Sequence, residues 1–160
     1  MESFTRIVKL ILTSPVLDKS DRQVVKGVVY SFQLDISSME DMHMKWTRQI
    51  EIECDALYLL GTYRKLKDEA QIDFDEAEGS AILDDIPPIS DTGSKTTVHQ
   101  AKAYLAVHPE LAVGRRRLLE IKDLFENIES LVRIVFARNK KLENLNVDFR
   151  RELKSDERAS

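Results

Sequence analysis

From Ile121 to Phe149 the apolar residues keep a regular interval. Ile121, Leu124, Ile128, Leu131, Val135, Leu142, Leu145 and Phe149 fall alternately three and four residues apart once Arg138 is counted as the charged member of the series. An average interval of 3.5 keeps one stripe of an α-helix turned toward a partner for many turns. A strand cannot use that interval, because its side chains alternate with a period of two. Leu118, Phe125 and Val132 form a second stripe and widen the apolar face. Pro109 suits the first position of a helix, where its missing N–H costs nothing, and Glu110 follows in the first turn. Counted from Pro109 to Leu153, such a helix spans ~68 Å. A single globule of 160 residues does not need that length for its own core. The seam Ile121, Leu124, Ile128, Leu131, Val135, Arg138, Leu142, Leu145 and Phe149 is therefore expected to join helices or chains. The expected fold class is mainly α: a long helical hairpin or coiled-coil bundle, assembled as a homo-oligomer.

A second long helix precedes it. Ser37 or Ser38 can cap it, and Glu40 and Asp41 suit the positive end of its dipole. Its apolar face is read as Met39, Met42, Trp46, Ile50, Cys54, Leu57, Leu60, Tyr63 and Leu66. That face runs for ~30 residues, or ~45 Å. Between the two helices the residues 71–94 carry seven acids and no base, together with Gly79 and Pro87-Pro88. They read as an acidic insert, a solvated connector or an arm that competes with nucleic acid for a basic face. Thr97 can cap a short helix bearing Val98, Ala101, Tyr104 and Leu105. Residues 154–160 read as a flexible tail.

Residues 1–36 admit two readings. Ile7, Val8, Leu10, Ile11 and Leu12 suit a short buried helix or a strand, ended by Pro15. Asp18 or Ser20 can cap a helix carrying Val24, Val25, Val28, Val29 and Phe32. Tyr30, Phe32, Leu34 and Ile36 alternate with polar residues, which is a strand signal. The helix is favoured over 20–30, and 30–36 stays open. The domain plan is thus an N-terminal segment 1–36, with helix or short strands, then a helical hairpin 37–153.

Several functions are disfavoured by residue type and spacing. One Cys excludes a disulfide framework and a Cys-rich zinc module. His43, His99 and His108 stand far apart, and His43 and Cys54 lie at no recognised ligand spacing. No metal and no cofactor is expected. Cys54 falls on the apolar face, where a thiol is usually buried and inert. No Gly-rich run exists to cradle a phosphate. Acidic pairs such as Asp84-Asp85 lack a framework for acid–base work. The chain is read as not an enzyme. No apolar run approaches ~18 residues, so no membrane span is expected. Met1-Glu2-Ser3-Phe4 lacks the start of a secretory signal, and the expected location is intracellular.

Charge placement is the informative feature. The net charge of −4 divides into +1 over 1–36, −2 over 37–70, −7 over 71–94 and +4 over 95–160. Exposed charges act locally, since screening cuts them off beyond about 10 Å. An acidic chain can therefore still present a basic face. Tyr63-Arg64-Lys65-Leu66-Lys67 closes the first long helix. Arg115-Arg116-Arg117 lies near the start of the second, where cations oppose the dipole and point to an external anion. Arg133, Lys140 and Lys141 lie off the seam and can face a phosphate backbone. Arg138 lies on it, where the bland reading is an ion pair between helices. Tyr58, Tyr63, Trp46 and Phe149 can stack on bases, with Tyr63 the expected exposed ring and Trp46 expected in the core.

The layout resembles the phage UvsY-type recombination mediators over about residues 38–153. The features that carry it are Met44-Lys45-Trp46, Tyr63-Arg64-Lys65-Leu66-Lys67, Phe136-Ala137-Arg138-Asn139-Lys140-Lys141-Leu142 and Val147-Asp148-Phe149-Arg150-Arg151-Glu152, set on two long helices around an acidic insert. The resemblance implies a helical oligomer that binds single-stranded DNA and helps a RecA-like recombinase displace a single-strand-binding protein. It also implies that Arg64, Lys65 and Lys67 contact DNA, with Lys45 in a similar place. The expected nucleic-acid-binding set is Lys45, Tyr63, Arg64, Lys65, Lys67, Arg115, Arg116, Arg133, Lys140 and Lys141. The competing expectation is a coiled-coil interaction module without nucleic-acid binding: an adaptor, a virion or scaffold component, or an inhibitor of a host protein. A helical regulator of duplex DNA is a third reading, without a compact helix-turn-helix signal.

Overall fold

The carboxylate of Asp18 starts the second helix of the chain. Its Oδ1 accepts the Ser20 N–H and the Ser20 hydroxyl, both at 2.8 Å, which satisfies a backbone donor that no helical carbonyl can reach. Of the two expected caps, Asp18 is the one used. A computed structural model describes residues 2–32, 39–84, 105–106 and 108–159. The described chain is mainly α, with no strand among the described residues. Its long helices are α1 (Glu2–Thr13), α2 (Lys19–Phe32), α3 (Met39–Asp84) and α4 (Pro109–Ala159). Two compact units form: Met1–Thr62 with Leu124–Ser160, and Tyr63–Asp123.

The first unit contains α1, α2, the first part of α3 and the later part of α4. Residues at i, i+4 and i+7 define the buried stripes of the short helices. They are Phe4, Val8 and Ile11 on α1, and Asp21, Val25 and Val28 on α2. The strand alternative for Tyr30 and Phe32 is therefore replaced by helix; Leu34 and Ile36 lie outside the described residues. Phe4 and Phe32 stack at 4.2 Å between ring centres, closing α1 against α2. Arg22 ties the α1–α2 connection. Its guanidinium donates to the carbonyls of Leu12 at 2.6 Å, Ser14 at 2.9 Å and Leu17 at 3.3 Å. These include carbonyls at a helix end that have no helical donor.

The inward face of α3 differs from the expected one. Lys45, Gln49, Ile52, Ala56 and Leu59 are buried, whereas Ile50, Cys54, Leu57 and Tyr58 are exposed. Trp46 and Leu60 are half-buried. The apolar count favoured the wrong stripe because the true one includes a lysine, a glutamine and an alanine. Cys54 is consequently an exposed thiol, against expectation. The positions Met39, Met42 and His43 lie outside the described side chains.

The second unit pairs the end of α3 with the start of α4. The two segments run antiparallel. Lys122 donates to Gln71 at 2.7 Å, the Arg115 guanidinium lies 5.7 Å from the Phe74 ring centre, and Leu111 clusters with Ala81 and Leu105. The acidic insert 71–94 is thus corrected: its residues 71–84 continue α3. Ala70, Phe74, Ala77 and Ala81 recur at helical spacing, and alanine is the best helix former. Residues 85–94 and the Thr97 cap lie outside the described residues. Pro109 does open its helix, behind a His108 carbonyl that accepts the Ala112 N–H at 3.0 Å. The expected tail is also corrected, since α4 continues to Ala159 rather than ending at Leu153.

Candidate nucleic-acid interface

The seam of α4 is already filled within one chain. In the first unit Leu124, Ile128, Leu131, Val135 and Leu142 are buried; in the second, Ile121 is. Leu145 is exposed, and the Phe149 side chain lies outside the described set. Most of the expected oligomerisation seam is therefore core. Arg138 is half-buried on it and meets neutral groups of its own chain. Its Nη1 donates to Gln49 Oε1 at 3.0 Å and its Nη2 to the Ser31 carbonyl at 3.3 Å. The guanidinium also lies 4.8 Å from the Phe32 ring centre. Gln49 in turn donates to the Val135 carbonyl at 3.0 Å and to Glu53 at 2.9 Å. Burial lowers the Arg138 pKa from its ordinary value, but a guanidinium remains charged. Within the chain the Arg138 cation is held on an amide, a helix-end carbonyl and a ring.

Turning α4 by half a revolution brings its solvent face into view. At 100° per residue, Arg133, Phe136 and Lys140 share one side of the helix, opposite Leu131, Val135 and Leu142. The Arg133 side chain is 79% exposed and Phe136 is 41% exposed. Lys140 and its neighbour Lys141 are exposed. No carboxylate occurs from Ser130 to Leu142, although Glu129 and Glu143 flank that stretch one turn from Arg133 and Lys140. The one ion pair on Arg133, to Glu129, is at 4.0 Å, the weak limit for an exposed pair. Farther along, Arg150 is exposed and Arg151 pairs with Asp148 at 3.8 Å.

The other expected residues are placed less uniformly. Tyr63 is 2% exposed and Lys45 is 4% exposed, so neither reaches a partner in solution. Tyr63 stood both on the expected apolar face and as the expected free ring; its burial fits the first and overturns the second. Arg64 and Lys65 are exposed, with Lys65 3.7 Å from Glu69. Lys67 is partly covered and lies 3.4 Å from Asp68. Arg115 rests on Phe74, and Arg116 pairs with Glu120 at 3.3 Å. Arg115 and Arg116 thus have a ring and a carboxylate partner within their own unit, while Arg117 is exposed. Phe136 is the residue that sequence reasoning missed. It sits beside the seam in sequence and was counted with neither the core nor the stacking rings; only its place on the same side of the helix as Arg133 and Lys140 marks it.

Cations spaced by helical turns around an exposed ring can meet phosphates and stack on an unpaired base. A duplex hides its bases in the stack, so the same lane would engage it through charge alone. No protein-family model, curated protein or solved structure matches this chain at a significant level.

Proposed function

We propose that this protein is a non-enzymatic recombination mediator that binds single-stranded DNA and assists the loading of a RecA-like recombinase. The observation that carries the reading is the exposed lane of Arg133, Phe136 and Lys140 on the solvent face of α4, with Lys141 exposed beside it. The layout resemblance to UvsY-type mediators supports the recombinase and the single-strand-binding protein as partners, and a phage protein acting inside its host cell. Arg64, Lys65 and Arg116 supply further exposed cations. Lys45 and Tyr63 are left out because they are buried.

The test is fluorescence anisotropy with labelled single-stranded and duplex DNA. The expected result is tighter binding to the single strand, lost in part by Phe136→Ala. A stacked base contributes ~1–3 kcal/mol, so Kd should rise at least about fivefold. Equal affinity for both forms, unchanged by Phe136→Ala, would remove the stacking lane from the mechanism.

A second reading is a coiled-coil interaction module without nucleic-acid binding. The exposed stripe of Ile50, Leu57 and Tyr58, opposite the buried Ile52, Ala56 and Leu59, favours it. An α-helix apolar on two sides usually buries both. Absence of DNA binding at low salt, with a stable homo-oligomer or protein complex, would select this reading.

A further inference from the structure

The second unit contains a cleft of about 630 Å³ between its α3 and α4 segments. The volume is in the range of specific ligand sites, roughly 300–1,000 Å³. Its floor is apolar, with Phe74, Leu111 and Leu118, and its walls are lowered by Ala70, Ala77 and Gly114. Two antiparallel helices bury the strip between them and leave the flanking groove open; a third helix laid in that groove completes a bundle. Small side chains on the walls permit the close backbone approach that such packing needs.

The rim is charged, and its two sides differ. Asp73 lies on the α3 side, one helical turn after Glu69, and Arg117 lies on the α4 side. Asp73 and Arg117 are exposed. Neither makes an ion pair among the described residues. Phosphates would meet the Glu69–Asp73 edge unfavourably, which argues against nucleic acid here. A purely apolar guest would leave both charges unused. A groove with an apolar floor and rims of opposite sign instead matches an amphipathic helix carrying cations on one edge and carboxylates on the other.

We infer that this cleft is a docking groove for an amphipathic helix of a protein partner, whose apolar face meets Phe74, Leu111 and Leu118, whose basic edge meets Asp73 and whose acidic edge meets Arg117. The inference is independent of DNA binding, because none of these residues belongs to the α4 lane. Either can fail alone.

Three labelled synthetic helices of one length test it against the full chain at physiological salt. All carry leucines on one face. One has a lysine edge and a glutamate edge, one has lysine on both edges, and one has glutamate on both. The mixed peptide should bind most tightly, by at least about tenfold, a difference of ~1.4 kcal/mol. Arg117→Glu should move the preference to the peptide with two lysine edges, which no general attraction to an acidic protein would do selectively. Ala77→Trp should fill the groove and abolish binding while circular dichroism and Tm stay as in the parent. The inference is overturned if none of the three binds. It is also overturned if binding survives Ala77→Trp. A change of oligomeric state in Ala77→Trp, seen by sedimentation, would overturn it in favour of a second copy of this chain as the occupant.

Discussion

Arg138 stands where a leucine would pack without an unmet polar atom. Its cation is held by Gln49 at 3.0 Å, by the Ser31 carbonyl at 3.3 Å and by the face of Phe32. Removing the guanidinium leaves the buried Gln49 amide oxygen and a helix-end carbonyl without their donor. Such losses cost about 1–3 kcal/mol. Arg138→Met is therefore expected to lower stability by that amount in urea unfolding. Gln49→Met adds an apolar partner, so the double variant should lose less than the two single losses combined. Strict additivity would show that the two side chains do not act as a pair. The sequence located Arg138 on the seam but not its partner, because Gln49 is polar and falls outside any count of apolar residues. Counting hydrophobic letters moved Cys54 inward, because Lys45, Gln49 and Ala56 occupy the buried stripe, whereas Tyr63 was moved outward by its basic neighbours Arg64 and Lys65.

At the scale of elements, α2 and α3 make separate predictions. Two hydrogen bonds from Ser20, the backbone one first, hold the Asp18 carboxyl below its ordinary range. A carboxylate whose pKa is depressed by folding contributes stability above its unfolded pKa, near 3.9, and loses it as pH falls through the folded value. Asp18→Ala should lower Tm at neutral pH, and the gap to the parent should narrow as pH falls below about 3.9. A gap that persists undiminished there would assign the loss to something other than the charged cap. In α3, Gly79 sits in the helix with no atom within 4 Å of a would-be Cβ. Gly79→Ala should stabilise the protein by about 0.5–1 kcal/mol. No gain in a denaturant titration would mean that this turn of α3 is not helical in solution. The helical type of the two long elements was legible from their 3.5-residue interval and from Pro109. The helical state of 71–84 was not, since charge and Gly79 outweighed an alanine pattern that contributes little hydrophobicity. The N-terminal pair was ambiguous because both segments are rich in β-branched residues, which also suit strands.

Across the whole molecule the deciding quantity is where the cations are free, not the net charge of −4. The sequence displayed three basic clusters of similar weight. The fold separates them by what surrounds them. Arg115 and Arg116 have ring and carboxylate partners in their unit, and Lys65 and Lys67 each lie near an acid. Arg133 lies 4.0 Å from Glu129, and the exposed Lys140 and Lys141 follow in a stretch with no acid from 130 to 142. Most of that difference lies along single helices, at spacings the sequence carries; only the Arg115–Phe74 contact depends on which residues meet across helices. The difference also makes the two units separable by experiment. Each phosphate contact to a single strand contributes ~0.7 to the slope of log K against log salt. Arg133→Ala, Lys140→Ala and Lys141→Ala together should flatten the slope by about 2 if all three meet phosphates. Arg64→Ala with Lys65→Ala should change it by less than about 1, because Lys65 trades one partner, Glu69, for another. If the second pair flattens the slope more than the first three, the DNA-contacting surface belongs to the α3 cluster that the family resemblance implies. The α4 lane would then be a solvated face with an incidental ring.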